Sequence, residues 1–247
     1  MTDLRQALAG AQHAPAEATV SRAAFVIGNT GKLGEELLNV LLESPRYSAV
    51  HVGVRKAMRS HVPKLHPMVV PGDLSAWDPC AGMKAVPEDL YVCIEPEAKS
   101  FWKIPRPYVA ITSPQAAAIA RRMRARGAVR IAVITPLEAI LQMGAAPVIR
   151  DTDELAILEA GFQRMLVLRP IDDARRAAAP GFFAKVGGVV TGTLGSYMTP
   201  KSLQPVRVRR AAAVAVDTLA SMDDGMQVMG AERLRELVGD PMEGKTR

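Results

Sequence analysis

Aromatic residues are scarce, 4% of 247 residues. A core made from this chain must rest on many small Ala, Val and Leu contacts rather than on a few large rings. Cysteine is scarcer still: only Cys80 and Cys93 occur, and neither stands in a CxxC or CxxH pair. That excludes a disulfide framework and a structural zinc module, and it points to a reducing, cytoplasmic setting. The four histidines, His13, His51, His61 and His66, show no metal-ligand spacing, so no metal is expected. No apolar run reaches the ~18–20 residues that cross a bilayer, so no membrane partner is expected. The first twenty residues lack the basic head and apolar run of a secretory signal. Net charge is +6, which favours anionic ligands, nucleotide phosphates among them, without choosing one.

What is present is an alternation. "AAFVIG" (23–28), "AVHVGV" (49–54), "EDLYVCIE" (88–95), "AVRIAVIT" (128–135) and "QRMLVLRP" (163–170) read as strands, and "PMVVPGDL" (67–74) holds another short one. "GKLGEELLNVLLES" (31–44) reads as a helix with Leu33, Leu37, Leu38, Leu41 and Leu42 on one face. A second helix spans 113–127, with Ser113 as its cap, Pro114 in its first turn and Gly127 at its end. Further helices are expected at 151–161, 206–222 and 231–240, and a short one near 3–9. Strands alternating with helices predict an α/β fold, a doubly wound, mostly parallel sheet with helices on both faces. The expected organisation is an extension over 1–22, one domain over 23–240 whose part from about 171 forms the substrate or partner side, and a tail over 241–247.

Gly28, Asn29, Thr30, Gly31, Lys32, Leu33 and Gly34 form G-x-x-G-x-x-G between the first strand and the first helix. In a dinucleotide site the first glycine permits the tight turn, the second lets backbone approach the pyrophosphate, and the third lets the helix pack closely on the sheet. The helix N-terminus then offers N–H groups and a positive dipole end to the phosphates. The competing reading is a glycine-rich turn with no ligand. After the second strand, where an acidic residue would bind the ribose of NAD, stand Arg55 and Lys56. A guanidinium there suits a 2′-phosphate, so NADP (NADPH) is the expected cofactor; the alternative is a pair of surface cations. Asp73, followed by Leu74, is a candidate acceptor for the adenine amino group, although Asp is also an ordinary turn residue.

The glycine loop, "VRK", "GDL" and the fifth strand resemble the atypical short-chain dehydrogenases/reductases. The closest layout is the Tat-interacting-protein-like branch, on the segment 154–162 leading to "MLVLRP" and on "PVRVRRAAAVAV" (205–216). The resemblance covers roughly 23–240. It implies an NADP-binding fold of six or seven parallel strands with a substrate or partner site above their C-terminal ends. It also implies a Ser or Thr after the fifth strand and a Tyr-x-x-x-Lys on the next helix, for proton transfer at a carbonyl or alcohol. Here those positions fall on Thr135 or Pro136, Ala146 and Arg150. Alanine transfers no proton, and arginine does not titrate as lysine does. Tyr197 has Lys201 four residues on, but Pro200 breaks the helix that spacing needs.

The expectation is therefore an NADP-binding protein with degenerate Ser–Tyr–Lys positions, serving a binding, regulatory or structural role. The alternative is an NADP-dependent oxidoreductase or isomerase using another acid or base, with Tyr108, Glu95, Glu138 and Thr135 as candidates. The partner is a small molecule or a protein. A homo-oligomer is compatible with the fold. The arginines of "RRMRARGAVR" (121–130) and "VRVRR" (206–210) raise nucleic acid. Ala116, Ile119, Ala120 and Met123 form the buried stripe of that helix, leaving Arg121 and Arg124 on its outer face, and no aromatic residues interleave to stack bases, which argues against it. "FWKIPRPY" (101–108) reads either as a ligand-covering loop or as a rigid surface loop.

Overall fold

The computed structural model describes residues 22–74, 77–83, 85–94, 107–135, 151–169 and 208–238. In chain order they form β1 (Arg22–Ile27), α1 (Lys32–Glu43), β2 (Tyr47–Val54), β3 (Leu65–Val69), β4 (Asp89–Cys93), α2 (Ser113–Ala125), β5 (Arg130–Ile134), α3 (Asp151–Leu158), β6 (Arg164–Arg169), α4 (Val208–Ser221), β7 (Gly225–Gly230) and α5 (Ala231–Val238).

The seven strands make one sheet in the order β3-β2-β1-β4-β5-β6-β7, and every pairing is parallel. The central strands are short and, after the charged residue that opens each, apolar because both faces are covered: every residue of "DLYVC" and "RIAVI" is buried. Strand alternation sorts the core into two layers. Ala24, Val26, Val52, Tyr91 and Ile134 pack with Leu37, Leu41, Ala212 and Leu219 of α1 and α4. Phe25, Ile27, Val92 and Val133 pack with Ala116, Ile119, Ala120 and Met123 of α2 and with Ile157 of α3. Helices thus lie on both faces.

Two local expectations change. The cap of α2 is Thr112, one residue before Ser113; Gln115 Oε1 accepts the Thr112 N–H at 2.9 Å, a capping-box bond that fixes the start. Strand β7 had no sequence prediction of its own. "GMQVMG" is bounded by glycines and has one β-branched residue, and it forms a strand because β6 offers it a complete ladder. Residues 3–9, Tyr197 and most of the "FWKIPRPY" segment lie outside the described residues. None of the described helices is long and apolar enough to cross a membrane.

Candidate functional site

β1 runs into the glycine loop at the C-terminal edge of the sheet. Gly28 has φ +80°, and a Cβ there would stand 1.9 Å from the Cys93 carbonyl oxygen and 2.9 Å from Ile111 Cγ1. Both backbone and space therefore require glycine. The Thr30 N–H donates to the Gly28 carbonyl at 2.8 Å and closes the turn. Gly31 is the N-cap of α1, with extended backbone and no side chain to cap it. The first turn after it, from Lys32, carries the N–H groups that a helix leaves without intrahelical partners. Gly34 also has a spatial reason, but a different one from that expected. A Cβ on it would lie 2.5 Å from Asn29 Cα, so its close approach is to the loop and not to the sheet.

Between these glycines lies Asn29, wholly buried, with neither Nδ2 nor Oδ1 hydrogen-bonded among the described residues. A buried amide without partners costs about 1–3 kcal/mol. Thr30 is buried beside it, Leu33 turns into the core under α1, and Lys32 is exposed.

Arg55 and Lys56 are exposed just past β2. The chain returns to them from far away. Val54 and Tyr108 form an antiparallel bridge, the Arg55 N–H donates to the Pro107 carbonyl at 2.8 Å, and Arg55 Nε donates to the Tyr108 carbonyl at 3.0 Å. Arg55 and Tyr108, separated by 53 positions, are thereby neighbours. The Tyr108 ring is half-buried against the α1–α4 layer of the core.

Thr135 ends β5 at the same edge, buried, with its N–H donating to the Leu168 carbonyl at 2.9 Å. Leu74 is buried with Phe25 and Ile27 on the α2 side of the sheet. Asp73 is exposed and lines a cavity of about 1200 Å³ that runs along β2 and β3 and does not include the glycine loop. Glu95, Glu138, Pro136, Ala146 and Arg150 lie outside the described residues. The described residues hold no group of three or more His, Cys, Asp or Glu able to bind a metal.

The arginine-rich helix is tied inward. Arg122 Nη1 donates to the Trp77 carbonyl at 3.0 Å, Arg124 Nε to the Gly161 carbonyl at 2.7 Å, and Arg126 pairs with Asp78. These arginines hold loops to α2, a use that composition does not disclose.

Sequence reasoning missed a buried polar network at the opposite, N-terminal edge. The Tyr47 hydroxyl donates to Asp89 Oδ2 at 2.6 Å and lies 2.8 Å from the Tyr91 hydroxyl. Arg130 Nε donates to Asp89 Oδ1, and Arg130 Nη2 donates to Glu88 Oε2 at 2.9 Å. Burial, then the Asp89 carboxylate, push the Tyr47 hydroxyl well above its usual range, and burial does the same to Tyr91. Burial opposes the charge on Arg130, but Asp89 and Glu88 outweigh it and raise its pKa. One signal was available: Asp89 and Arg130 each open an otherwise apolar strand, and the parallel register sets them side by side.

No family model and no curated protein matches the chain. Among solved structures it is similar to the Bordetella bronchiseptica enzyme WbmH in complex with NAD+, with 13% identity and a TM-score of 0.52 over 85% of this chain and 76% of that one. It is similar also to WbmG of the same organism in complex with NAD, with 12% identity and a TM-score of 0.48 over 88% and 74% of the two chains. The PhqB reductase domain of Penicillium fellutanum gives 15% identity and 0.46 over 92% and 72%. At such identities the likeness is one of fold, and with the strand order it identifies the chain as a Rossmann-like, doubly wound α/β protein.

Proposed function

We propose that the chain holds a nicotinamide dinucleotide at the C-terminal edge of its sheet, NADP in preference to NAD, as an atypical short-chain dehydrogenase-like protein of the Tat-interacting-protein-like branch. Its cofactor serves a binding or regulatory role toward a small molecule or a protein above the strand ends. The observation that carries the reading is Asn29, a buried amide with no partner among the described residues, in a loop where Gly28 and Gly34 leave no space for a Cβ. A polar ligand that drew the Asn29 side chain out to the loop surface would offset the cost of that burial.

Gly28, Gly31 and Gly34 would give the phosphates access to the backbone, and the first turn of α1, with Thr30, Lys32 and Leu33, would meet them with its dipole. Arg55 and Lys56 would face the 2′-phosphate, Arg55 already oriented by its bond to the Tyr108 carbonyl. Asp73 and Leu74 would border the adenine. WbmH, similar in fold, is a complex with NAD+, which supports a dinucleotide; the preference for NADP rests on Arg55 and Lys56. A bound nicotinamide supplies a hydride donor or acceptor. The residues aligned with the proton-transfer pair are Ala146 and Arg150, and neither moves a proton at neutral pH, which is why turnover is not assigned.

The test is a titration with NADPH and with NADH, followed by nicotinamide fluorescence. Saturable binding with NADPH the tighter ligand is expected. Binding of neither at millimolar concentration overturns the reading. In Arg55→Ala the preference for NADPH should fall by about tenfold, the loss of one charge-assisted contact. NADPH oxidation that depends on an added carbonyl substrate would replace the regulatory role with that of an oxidoreductase or isomerase.

A further inference from the structure

The cavity along β2 and β3 belongs to neither the glycine loop nor Arg55. It opens on the α2 side of the sheet. There the link from β3 to β4 contributes no helix among the described residues, and its irregular chain around Trp77 and Met83 lies over the sheet. Its floor is a pair of imidazoles. His51 and His66 are register partners on adjacent strands, with ring centroids 5.2 Å apart and planes tilted by 32°. Neither side chain has a hydrogen-bond partner among the described residues. Burial, aided by His66, lowers the His51 pKa from the usual 6.5 to about 4, so at neutral pH its ring is uncharged and offers one donor and one acceptor. One wall is Trp77, set against Phe25 at 6.3 Å, and Met68 and Met83 supply adaptable apolar surface.

The rim decides the charge of the occupant. Asp73, which the cofactor reading also sets beside the adenine, lines the cavity with Asp78 and Glu88, and the three repel anions. Asp78 is paired with Arg126 at 2.5 Å and Glu88 with Arg130 at 2.9 Å, so these two acids offer a cation little uncompensated charge. An aromatic wall and two hydrogen-bonding rings in one cavity, with two of its three acids paired to arginines, match a flat neutral molecule with polar edges. We propose that this cavity is a second binding site, for an uncharged planar nitrogen heterocycle that lies against Trp77 and hydrogen-bonds to His51 and His66.

The chain has two tryptophans, Trp77 and Trp102, so Trp102→Phe leaves Trp77 as the sole tryptophan, excited at a wavelength that tyrosine does not absorb. Benzimidazole at mildly alkaline pH is the probe, and indene, of the same size and shape without nitrogen, is its control. Benzimidazole should quench Trp77 saturably and bind about tenfold more tightly than indene, the worth of one or two neutral hydrogen bonds. His66→Leu, on an exposed ring, should erase that difference while leaving the thermal midpoint unchanged. His51→Leu should do the same, and if it fails to fold, His66→Leu still decides. Equal affinity for the two probes, an unchanged difference in His66→Leu, or no saturable quenching overturns the proposal. Because NADPH binding does not enter the readout, this result stands apart from the fate of the glycine loop.

Discussion

At the N-terminal edge of the sheet Asp89 is wholly buried and accepts hydrogen bonds from Tyr47 and Arg130. At the C-terminal edge Asn29 is equally buried and has no hydrogen-bond partner among the described residues. Both are polar groups taken out of water, and only one has been compensated by the fold. A satisfied buried network fixes a single arrangement of strands; an unsatisfied group calls for an explanation, and the one proposed above is a bound dinucleotide. The two ends of the same strands thus divide the work: β4 and β5 start in a structural lock and end beside the candidate site.

The sharpest way to break this comparison is Asp89→Ala. It leaves the buried Arg130 guanidinium with Glu88 as its one carboxylate partner among the described residues and should cost about 3 kcal/mol in urea unfolding. A loss under about 1 kcal/mol would mean the network is no lock. Next is Gly28→Ala, which forces a Cβ onto the Cys93 carbonyl at positive φ. It should cost about 2 kcal/mol or more and abolish NADPH binding in whatever fraction stays folded. Asn29→Ala separates the two edges most directly. It should weaken NADPH about tenfold, as one lost hydrogen bond to a charged ligand does, with no fall in thermal midpoint, since the amide removed was unsatisfied. A clear drop in midpoint with unchanged NADPH affinity would make Asn29 structural after all.

The smallest effect concerns His51. Unfolded, it takes up its proton near 6.5; folded, only near 4. Above 6.5 it costs the fold nothing. As pH falls from 6.5 toward 4 the unfolded chain is protonated first, and stability declines. His51→Phe should lack that part of the decline, read as the difference between the two proteins' urea midpoints across this window. Parallel pH profiles would show that the ring is not desolvated.

The glycine loop was legible because its requirement is local: a strand, a turn at positive φ and a helix start are consecutive residues. The same holds for α1, whose leucines repeat at helical spacing, and for the central strands, whose apolar runs announce burial on both faces. Strand β7 was not legible, because two glycines and two methionines give no period and its partner β6 supplies the order. Nor was the third glycine's role, since Gly34 meets a loop atom and not the sheet.

By itself, then, the order of residues determined the alternation of strands and helices, the parallel sheet that follows from it, and the glycine turn at Gly28. These depend on short-range sterics and on hydrophobic period, which the chain carries along its length. Tertiary structure alone decided which polar groups found partners. Tyr47 reaches Asp89 across 42 positions and Arg55 reaches Tyr108 across 53, while His51 meets His66 only because two strands share a register. Hydrogen bonds and burial depend on distances in space, and no spacing along the chain encodes them before the sheet is assembled.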